Sequence, residues 1–279
     1  MPKLVGSMLY CLLLALAPLG GGPKPQSGVR EVSLTRVVRM PVVMLNTQGS
    51  SGPANQAPGA LTLSPGATDE LPEGPDGFDV LDDGTLLITD PLRDRLAVYD
   101  SQGAFKREWK LGFPADSVTA IPNGLVLIRD ATTGELHAFD REGQPKPAAT
   151  AVLPEREQAR LLTAKSGVVG RPATAGGPGG PLQVQFDRAG LRLLSLEGLA
   201  TDGAGNTYVA LETTAGGETI DVNKYVRRYN AHGELVAEIS DMKVDYYVRP
   251  VDELRVHKGV VYQLMSTRSE VRVNVWDTN

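Results

Sequence analysis

Four acidic residues stand at similar distances ahead of glycines that can form turns. Three precede their glycine by eight residues and the fourth by six: Asp76 (Gly84), Asp116 (Gly124), Glu197 (Gly205) and Glu253 (Gly259). In a repeated fold such equivalent positions would surround one opening. Carboxylates gathered there could hold a hard cation such as Ca²⁺, or a basic group of a partner. Their mutual repulsion would raise some of their pKa values.

A simpler interpretation of these acids stays open. Each carboxylate could be solvated, or could accept hydrogen bonds from the amides of its own turn. Other chemistry is not indicated. The three histidines, His137, His232 and His257, lack metal-binding spacing, and we interpret them as surface or turn residues. The sequence has no nucleophile elbow, phosphate-binding glycine motif or dinucleotide fingerprint, so no catalytic residue is predicted.

Charge and cysteine content restrict the partners and the chemistry further. The formal net charge is −5, and it becomes −6 if Lys3 is removed with an N-terminal signal. This acidity argues against nucleic acid, whose binding proteins carry basic patches. One basic cluster, Lys224 with Arg227 and Arg228, is predicted to be a solvent-exposed strand face. The single cysteine, Cys11, lies in the N-terminal apolar run, so a processed chain would contain no thiol.

A short repeat indicates how the acids would be positioned. It consists of an apolar or aromatic residue, then Asp or Asn, two variable residues and Gly. Copies end at Gly103, Gly143, Gly190 and Gly233, with a weaker one at Gly49, at spacings of 54, 40, 47 and 43 residues. An Asp or Asn with a following Gly reverses a chain tightly, so each copy predicts a hairpin. The repeated turn aspartates are predicted to be structural: Asp100, Asp140 and Asp187.

Ahead of each hairpin the sequence predicts a further pair of strands around a second glycine turn. These pairs span 78–90, 118–130, 199–211 and 253–265. Two strands, a hairpin and a closing strand make a four-stranded unit, which is the blade of a β-propeller. A period of 40 to 50 residues is typical of such blades.

One copy of this unit resembles a known repeat. The segment 75–103, PDGFDVLDDGTLLITDPLRDRLAVYDSQG, is similar to an NHL-type propeller repeat. The copy at 196–233 is similar apart from an insertion at 216–221, and the copy at 154–190 is degenerate with a GGPGGP loop. The resemblance implies a β-propeller, and it implies an interaction platform as the function.

The predicted fold is therefore an all-β propeller, six-bladed with an irregular first blade, and five-bladed as the alternative. The last unit provides only three strands before Asn279. We expect the N-terminal segment 31–40 to supply its outer strand and close the ring, because closure removes exposed sheet edges. The segment 49–60 has the composition of a linker and is predicted to be a mobile surface loop.

The N-terminus predicts export. Lys3 precedes an apolar run at 8–19, and Gly20, Gly21 and Gly22 follow it. This order is typical of a signal peptide, and the run is shorter than the roughly 20 residues of a membrane span. The expected division is a signal peptide at 1–22, N-terminal strands and a Gly/Pro/Ser-rich loop at 23–64, and propeller blades at 65–279. A periplasmic, cell-surface or secreted location follows, without a membrane span after signal removal.

Two functions fit these expectations. The first is a non-catalytic scaffold that binds an envelope or extracellular protein, or a glycan, and needs no cofactor apart from a possible Ca²⁺. The alternative is a Ca²⁺-dependent propeller hydrolase or lactonase. In either case the predicted site residues are Asp76, Asp116, Glu197 and Glu253 at the mouth of a central channel.

Overall fold

A computed structural model describes residues 28–45, 57, 59–66, 69–147, 182, 184, 188, 190–216 and 221–279. Apart from one short 3₁₀ turn, this part of the chain is built from strands, and the all-β prediction is confirmed. No helix in it has the length and apolar character that crossing a membrane requires. The predicted signal peptide, most of the 49–60 loop and most of the degenerate copy at 154–190 lie outside the described residues.

Eighteen strands, joined by turns and loops, are present among the described residues. In chain order they are β1 Arg30–Glu31, β2 Arg36–Met44, β3 Leu61–Leu63, β4 Phe78–Val80, β5 Leu86–Asp90, β6 Arg95–Tyr99, β7 Phe105–Lys110, β8 Ala115–Ala120, β9 Val126–Asp130, β10 Leu136–Phe139, β11 Pro145–Lys146, β12 Arg192–Thr201, β13 Thr207–Thr214, β14 Val222–Tyr229, β15 Leu235–Met242, β16 Leu254–His257, β17 Val260–Ser266 and β18 Glu270–Asp277. The 3₁₀ turn, Pro91–Arg93, joins β5 to β6.

These strands form four sheets, in each of which the main run of strands lies in chain order. Sheet I contains β4 to β7 and sheet II contains β8 to β11. Sheet III contains β12 to β15 with β1 at its edge, and sheet IV contains β16 to β18 followed by β2 and β3. Strands that follow one another within a sheet's main run pair antiparallel. Several small up-and-down sheets are the arrangement that the repeat predicts.

The first strands of the four sheets lie close together. Strand β4 packs against β8 and β16, and β16 in turn packs against β12. Between sheets I and II the contact is apolar: Leu87 and Trp109 of sheet I share a buried cluster with Val118 and Ile128 of sheet II. Face-to-face packing of apolar side chains therefore holds adjacent sheets, and it brings the entries of their first strands near one another.

The N-terminal strands join sheets made by the C-terminal part of the chain. Strand β2 pairs antiparallel with β18, with Val38 opposite Val273. Strand β1 pairs parallel with β15 in sheet III. The segment predicted as an outer strand, 31–40, therefore differs from the strand observed next to β18, which is β2, Arg36–Met44, and β3 rather than β2 forms the edge of sheet IV. The difference arises because the preceding residues cross over to the neighbouring sheet.

The hairpin turns have the geometry that their sequences predict. The Asp100 carboxylate accepts hydrogen bonds from the amides of Gln102 and Ala104, at 2.8 and 2.9 Å. Asp140 accepts them in the same way within its own turn. At the end of the first turn, Gly103 has φ +88°, which favours glycine because it has no Cβ. The structural role predicted for Asp100 and Asp140 is confirmed, and Asp187 lies outside the described residues.

The end of the predicted mobile loop is anchored instead. The Gly59 carbonyl accepts a 2.6 Å hydrogen bond from the Tyr99 hydroxyl, and the Ala60 carbonyl accepts one of 2.5 Å from Arg95. Arg95 is buried in an ion pair with Asp90, and a buried guanidinium needs further acceptors for its remaining N–H groups. The prediction is therefore wrong for Gly59 and Ala60, which pack against sheet I.

A substitution at Gly77 tests the close approach of sheets I and II. A Cβ at Gly77 would lie 2.7 Å from the Asp116 carbonyl oxygen and 2.9 Å from Ser117 Cα, so backbone must shift to admit it. We expect Gly77→Ala to lower the free energy of unfolding by roughly 1–3 kcal/mol in urea denaturation. Gly203→Ala is the matched control, because a Cβ there meets nothing within 4 Å. Equal stability of the two variants would contradict this packing.

Candidate functional site

Two of the four predicted acids lie together where sheets I and II begin. Asp76 precedes β4, and the next residue, Gly77, packs against the backbone of Asp116 in β8. Asp116 is held by Arg129 of the adjacent strand β9. The guanidinium donates two hydrogen bonds to its carboxylate, from Nε at 2.8 Å and from Nη2 at 2.9 Å. This bidentate pair fixes the orientation of Asp116.

Asp76 itself has no such cation. Among the described residues its partly buried carboxyl group has neither an ion-pair partner nor a hydrogen-bond donor. Its backbone is fixed, because the carbonyl oxygen accepts a 2.9 Å hydrogen bond from the Asp252 amide. Burial raises the pKa of Asp76 to about 7, and the negative charges of Asp116 and Glu73 add to the rise. Asp76 is therefore a carboxyl group that changes charge near neutral pH.

The other two predicted acids lie around a buried lysine. Lys224 of β14 has a side chain that is 2% exposed, and its ammonium group contacts Glu253 and lies 2.9 Å from Glu212 Oε1. Glu197 acts on Lys224 through its charge. Burial lowers the pKa of Lys224, and the charges of Glu212 and Glu197 oppose that change. Burial also disfavours ionisation of Glu212, but its hydrogen bond to Lys224 and the charge of Lys224 outweigh burial and lower its pKa.

The basic cluster is not the solvent-exposed face that the sequence predicted. Lys224 and Arg227 are buried, and Arg227 donates a 2.7 Å hydrogen bond from Nε to the Glu238 carboxylate. The prediction is wrong because β14 lies inside a five-stranded sheet, between β13 and β15. Both faces of such a strand can be covered, so its cations are neutralised by acids within the protein.

Asp252 and Glu253 join the two pairs of acids. The Asp252 amide binds the Asp76 carbonyl, and the Asp252 carboxylate accepts hydrogen bonds from Ser117 of β8 and from Arg255 of β16. Glu253, the next residue, contacts Lys224 in sheet III. This dipeptide therefore connects the entries of sheets I, II and IV to Lys224 in strand β14 of sheet III.

Arg255 completes the connection from sheet IV. Its side chain is 4% exposed, and its Nη2 lies 2.6 Å from Asp252 Oδ2. Its Nε lies 3.8 Å from Asp79 Oδ1, and its guanidinium carbon lies 5.6 Å from the centre of the Phe78 ring. Asp79 also accepts a 2.6 Å hydrogen bond from the Ala120 amide in sheet II. A buried arginine with these partners ties the first strands of sheets I, II and IV together.

The described side chains include no group of three or more His, Cys, Asp or Glu residues placed to share a metal ion. Calcium sites in proteins take six to eight oxygen ligands. The structure brings Asp76 and Asp116 together, and separately Glu197 and Glu253. Arg129 pairs with Asp116 and Lys224 with Glu253, and Glu197 interacts with Lys224 through its charge. Asp76 is the one of these four acids for which the described residues provide no cation.

The residues that sequence reasoning missed are the cations and the connecting acid: Lys224, Arg129, Arg255 and Asp252. A signal existed for Arg129 and Arg255, because each lies directly beside apolar residues in a short strand, VLIRD and LRVH, which indicates a buried or paired charge. Nothing in the local sequence predicted the bond from Asp252 to Asp76, because it joins positions 176 residues apart.

Comparisons with known proteins leave the chain without an assigned family. No protein-family model matches it, and no curated protein matches it. Solved structures give remote likenesses. One is virginiamycin B lyase from Staphylococcus aureus, at 10% identity over 72% of this chain and 69% of that one, with a TM-score of 0.26.

Two further likenesses are as remote. A gluconolactonase from Xanthomonas campestris is 12% identical over 88% of each chain, with a TM-score of 0.31. BBS1N in its complex with ARL6DN is 9% identical over 92% of this chain and 68% of that one, with a TM-score of 0.22. Values this low establish neither the fold nor the function of this chain, and its all-β architecture rests on its own four sheets.

The raised pKa of Asp76 predicts how stability depends on pH. The folded state binds a proton that the unfolded state releases between about pH 4 and pH 7, so ionisation of Asp76 lowers stability as pH rises through this range. We expect Asp76→Asn to be more stable than the parent by about 1–2 kcal/mol at pH 8, after allowance for solvent screening, and equal to it near pH 4. Urea denaturation at both pH values measures the difference.

Glu142→Gln is the control for this comparison, because Glu142 is an exposed acid in a hairpin turn. It should give the same stability as the parent at both pH values. A constant difference between Asp76→Asn and the parent from pH 4 to pH 8 would show that Asp76 does not titrate near 7.

Proposed function

We propose that this chain is an exported, non-catalytic β-propeller that binds a basic group of an envelope or extracellular partner at Asp76. The observation that carries the proposal is the state of this side chain. Asp76 is partly buried beside Asp116, has no cation among the described residues, and has a pKa raised to about 7. An ammonium or guanidinium group placed there would offset the repulsion between Asp76 and the neighbouring acids and would replace the solvation that the Asp76 carboxylate loses on burial.

The neighbouring charges favour a basic group over Ca²⁺. Arg129 occupies both oxygens of Asp116, and Lys224 contacts Glu253. The Asp76 carboxyl group provides at most two of the oxygens that Ca²⁺ requires, whereas it can form a complete pair with one amine or guanidinium. A possible Ca²⁺ therefore remains the weaker of the two ligand predictions.

The propeller itself is part of the proposal. Its support is the set of small meander sheets whose first strands lie together, and the pairing of β2 with β18 as the fourth strand of sheet IV. That pairing would close the ring. Because β2 and β3 belong to sheet IV and β1 to sheet III, the described N-terminal strands build no sheet of their own. This favours the five-bladed alternative over six blades.

Export and the partner's class come from the sequence. The apolar run at 8–19 and the glycines after it support a signal peptide, and hence a periplasmic, cell-surface or secreted location. A partner in those compartments would be a protein or a glycan. A basic group points to a protein, through a lysine or arginine, or to an amino sugar.

A hydrolase or lactonase is the alternative, and one observation favours it. A carboxyl group whose pKa lies near 7 is suited to general acid–base catalysis at neutral pH. Asp76 could then transfer a proton to or from a bound substrate. Two hydroxyl groups lie near it, but Ser117 Oγ donates to the Asp252 carboxylate and Thr89 Oγ1 donates to the Gly77 carbonyl. Because neither donates to the Asp76 carboxyl group, the binding function has the better support.

Binding of a cationic peptide tests the proposal. The probe is a capped Lys/Arg pentapeptide, and a capped Gly/Ser pentapeptide is its control, with affinity measured by calorimetry at pH 8 and pH 5.5. We expect binding at pH 8 to fall about tenfold in Asp76→Asn, the size of a charge-assisted hydrogen bond, and parent binding to weaken at pH 5.5. Equal affinities of the parent and Asp76→Asn at pH 8 would overturn the proposal.

The parent and Asp76→Asn also distinguish the binding function from the hydrolase alternative. Lactone turnover by the purified parent chain, with and without added Ca²⁺, would support a hydrolase if it is lost in Asp76→Asn. Turnover that depends on Asp76 would contradict a non-catalytic role, whereas peptide binding without turnover supports it.

A further inference from the structure

Lys224 lies in an unusually charged and buried environment for a residue outside the proposed binding site. The charged groups that face it are Glu197 of β12, Glu212 of β13, and Arg249 and Glu253 of the segment that enters β16, whereas on β15 the residue opposite it is Met242. Its ammonium group also lies 6.0 Å from the centre of the Tyr246 ring. A buried charge persists only where partners of this kind surround it.

Lys224 is the cation that fixes Glu253. Its ammonium group contacts Glu253 Oε1, whereas Arg249 Nε lies 3.8 Å from Oε2 and the Arg249 side chain is 61% exposed. The Glu253 carbonyl oxygen is also bound, at 2.8 Å, by the Leu264 amide. The exposed Arg249 is the weaker partner, because solvent screens it and its side chain loses entropy on pairing. Without Lys224, Glu253 would have little reason to stay buried.

Glu253 is covalently joined to the residue that holds Asp76. The Asp252 amide binds the Asp76 carbonyl at 2.9 Å, and the Asp252 carboxylate is directed to Ser117 and Arg255. If Glu253 turned towards solvent, the peptide unit between residues 252 and 253 would move. The backbone bond to Asp76 would weaken, and a further negative charge would be released near Asp76 and Asp116.

We propose that Lys224 is a positioning residue for Asp76, acting through the dipeptide Asp252–Glu253. It touches no ligand. Its charge holds Glu253 in place, and Glu253 in turn keeps Asp252 in the orientation that leaves the Asp76 carboxyl group open and fixed. This inference rests on the proposed binding function, since Asp76 is taken as the ligand-binding group.

Variants of Lys224 test the inference in the full chain. Lys224→Met removes the charge at similar length, and Lys224→Arg keeps it. The matched control is Lys106→Met, because Lys106 is an exposed lysine whose Nζ donates a 3.2 Å hydrogen bond to Thr85. The measurements are affinity for the Lys/Arg pentapeptide, the pH at which half of that binding is lost, and a thermal melt to establish folding.

We expect Lys224→Met to weaken peptide binding about tenfold and to move the midpoint of its pH dependence. Lys224→Arg should stay within about threefold of the parent, and Lys106→Met should be unchanged. Combining Lys224→Met with Asp76→Asn should bind no more weakly than Asp76→Asn alone, because both changes act on one group. A stable Lys224→Met variant with parental affinity and an unchanged midpoint would overturn the inference.

If Lys224→Met does not fold, Glu253→Gln tests the inference instead, because it breaks the same ion pair without leaving a buried unpaired carboxylate. It should shift the affinity and the pH midpoint in the same direction, and parental values would overturn the inference. Failure of the proposed function is a different result, namely unchanged peptide binding in Asp76→Asn. In that event, a shift in the NMR titration of the Asp76 carboxyl group in Glu253→Gln still supports the positioning role, and no shift contradicts it.

Discussion

The dipeptide Asp252–Glu253 is bound from all four described sheets, and the geometry of the inner strands depends on it. The Asp252 amide donates a hydrogen bond to the Asp76 carbonyl of sheet I, and its carboxylate accepts one from the Ser117 hydroxyl of sheet II. Lys224 of sheet III pairs with Glu253, and Arg255 of sheet IV pairs with Asp252. The two cations are almost fully buried. Removing either partner of a buried ion pair leaves an uncompensated charge, so loss of any one of these contacts would destabilise the packing of the sheets.

The same network explains why one carboxyl group differs from its neighbours. The acids at the strand entries carry several negative charges within a small region, and the protein supplies cations to Asp116, Glu253 and Asp252. Among the described residues, Asp76 forms hydrogen bonds only through its backbone, from its amide to Thr89 and from the Asp252 amide to its carbonyl oxygen. Burial and the neighbouring negative charges therefore both disfavour ionisation of Asp76, and its pKa is raised. The proposed binding site for a basic group is based on that imbalance.

Local sequence predicted the parts of this structure that local physics determines. An Asp and a Gly at fixed spacing specify a turn, and the Asp100 and Asp140 turns form as expected. Equal spacing ahead of the turn glycines also placed Asp76 and Asp116 at equivalent strand entries, which pack together. These inferences succeed because residues in a strand and its turn have fixed geometry, so their spacing in sequence determines their positions in the sheet.

Other features depend on contacts between distant parts of the chain. The local sequence of Lys224 predicts a surface residue, but the segment at 243–253 covers it in the structure. The register of β2 is set by β18, which lies more than two hundred residues away in sequence. The end of the 49–60 loop is likewise fixed by Arg95 and Tyr99, which its own composition does not reveal. Sequence spacing cannot specify which cation reaches which carboxylate.

An NMR titration of the Asp76 side-chain carboxyl carbon in the folded parent chain tests this account most directly. If the inner network leaves Asp76 without a cation among buried acids, its midpoint should lie near pH 7. A midpoint near 4, the ordinary value for an aspartate, would show that Asp76 is solvated or paired, and would contradict the central claim.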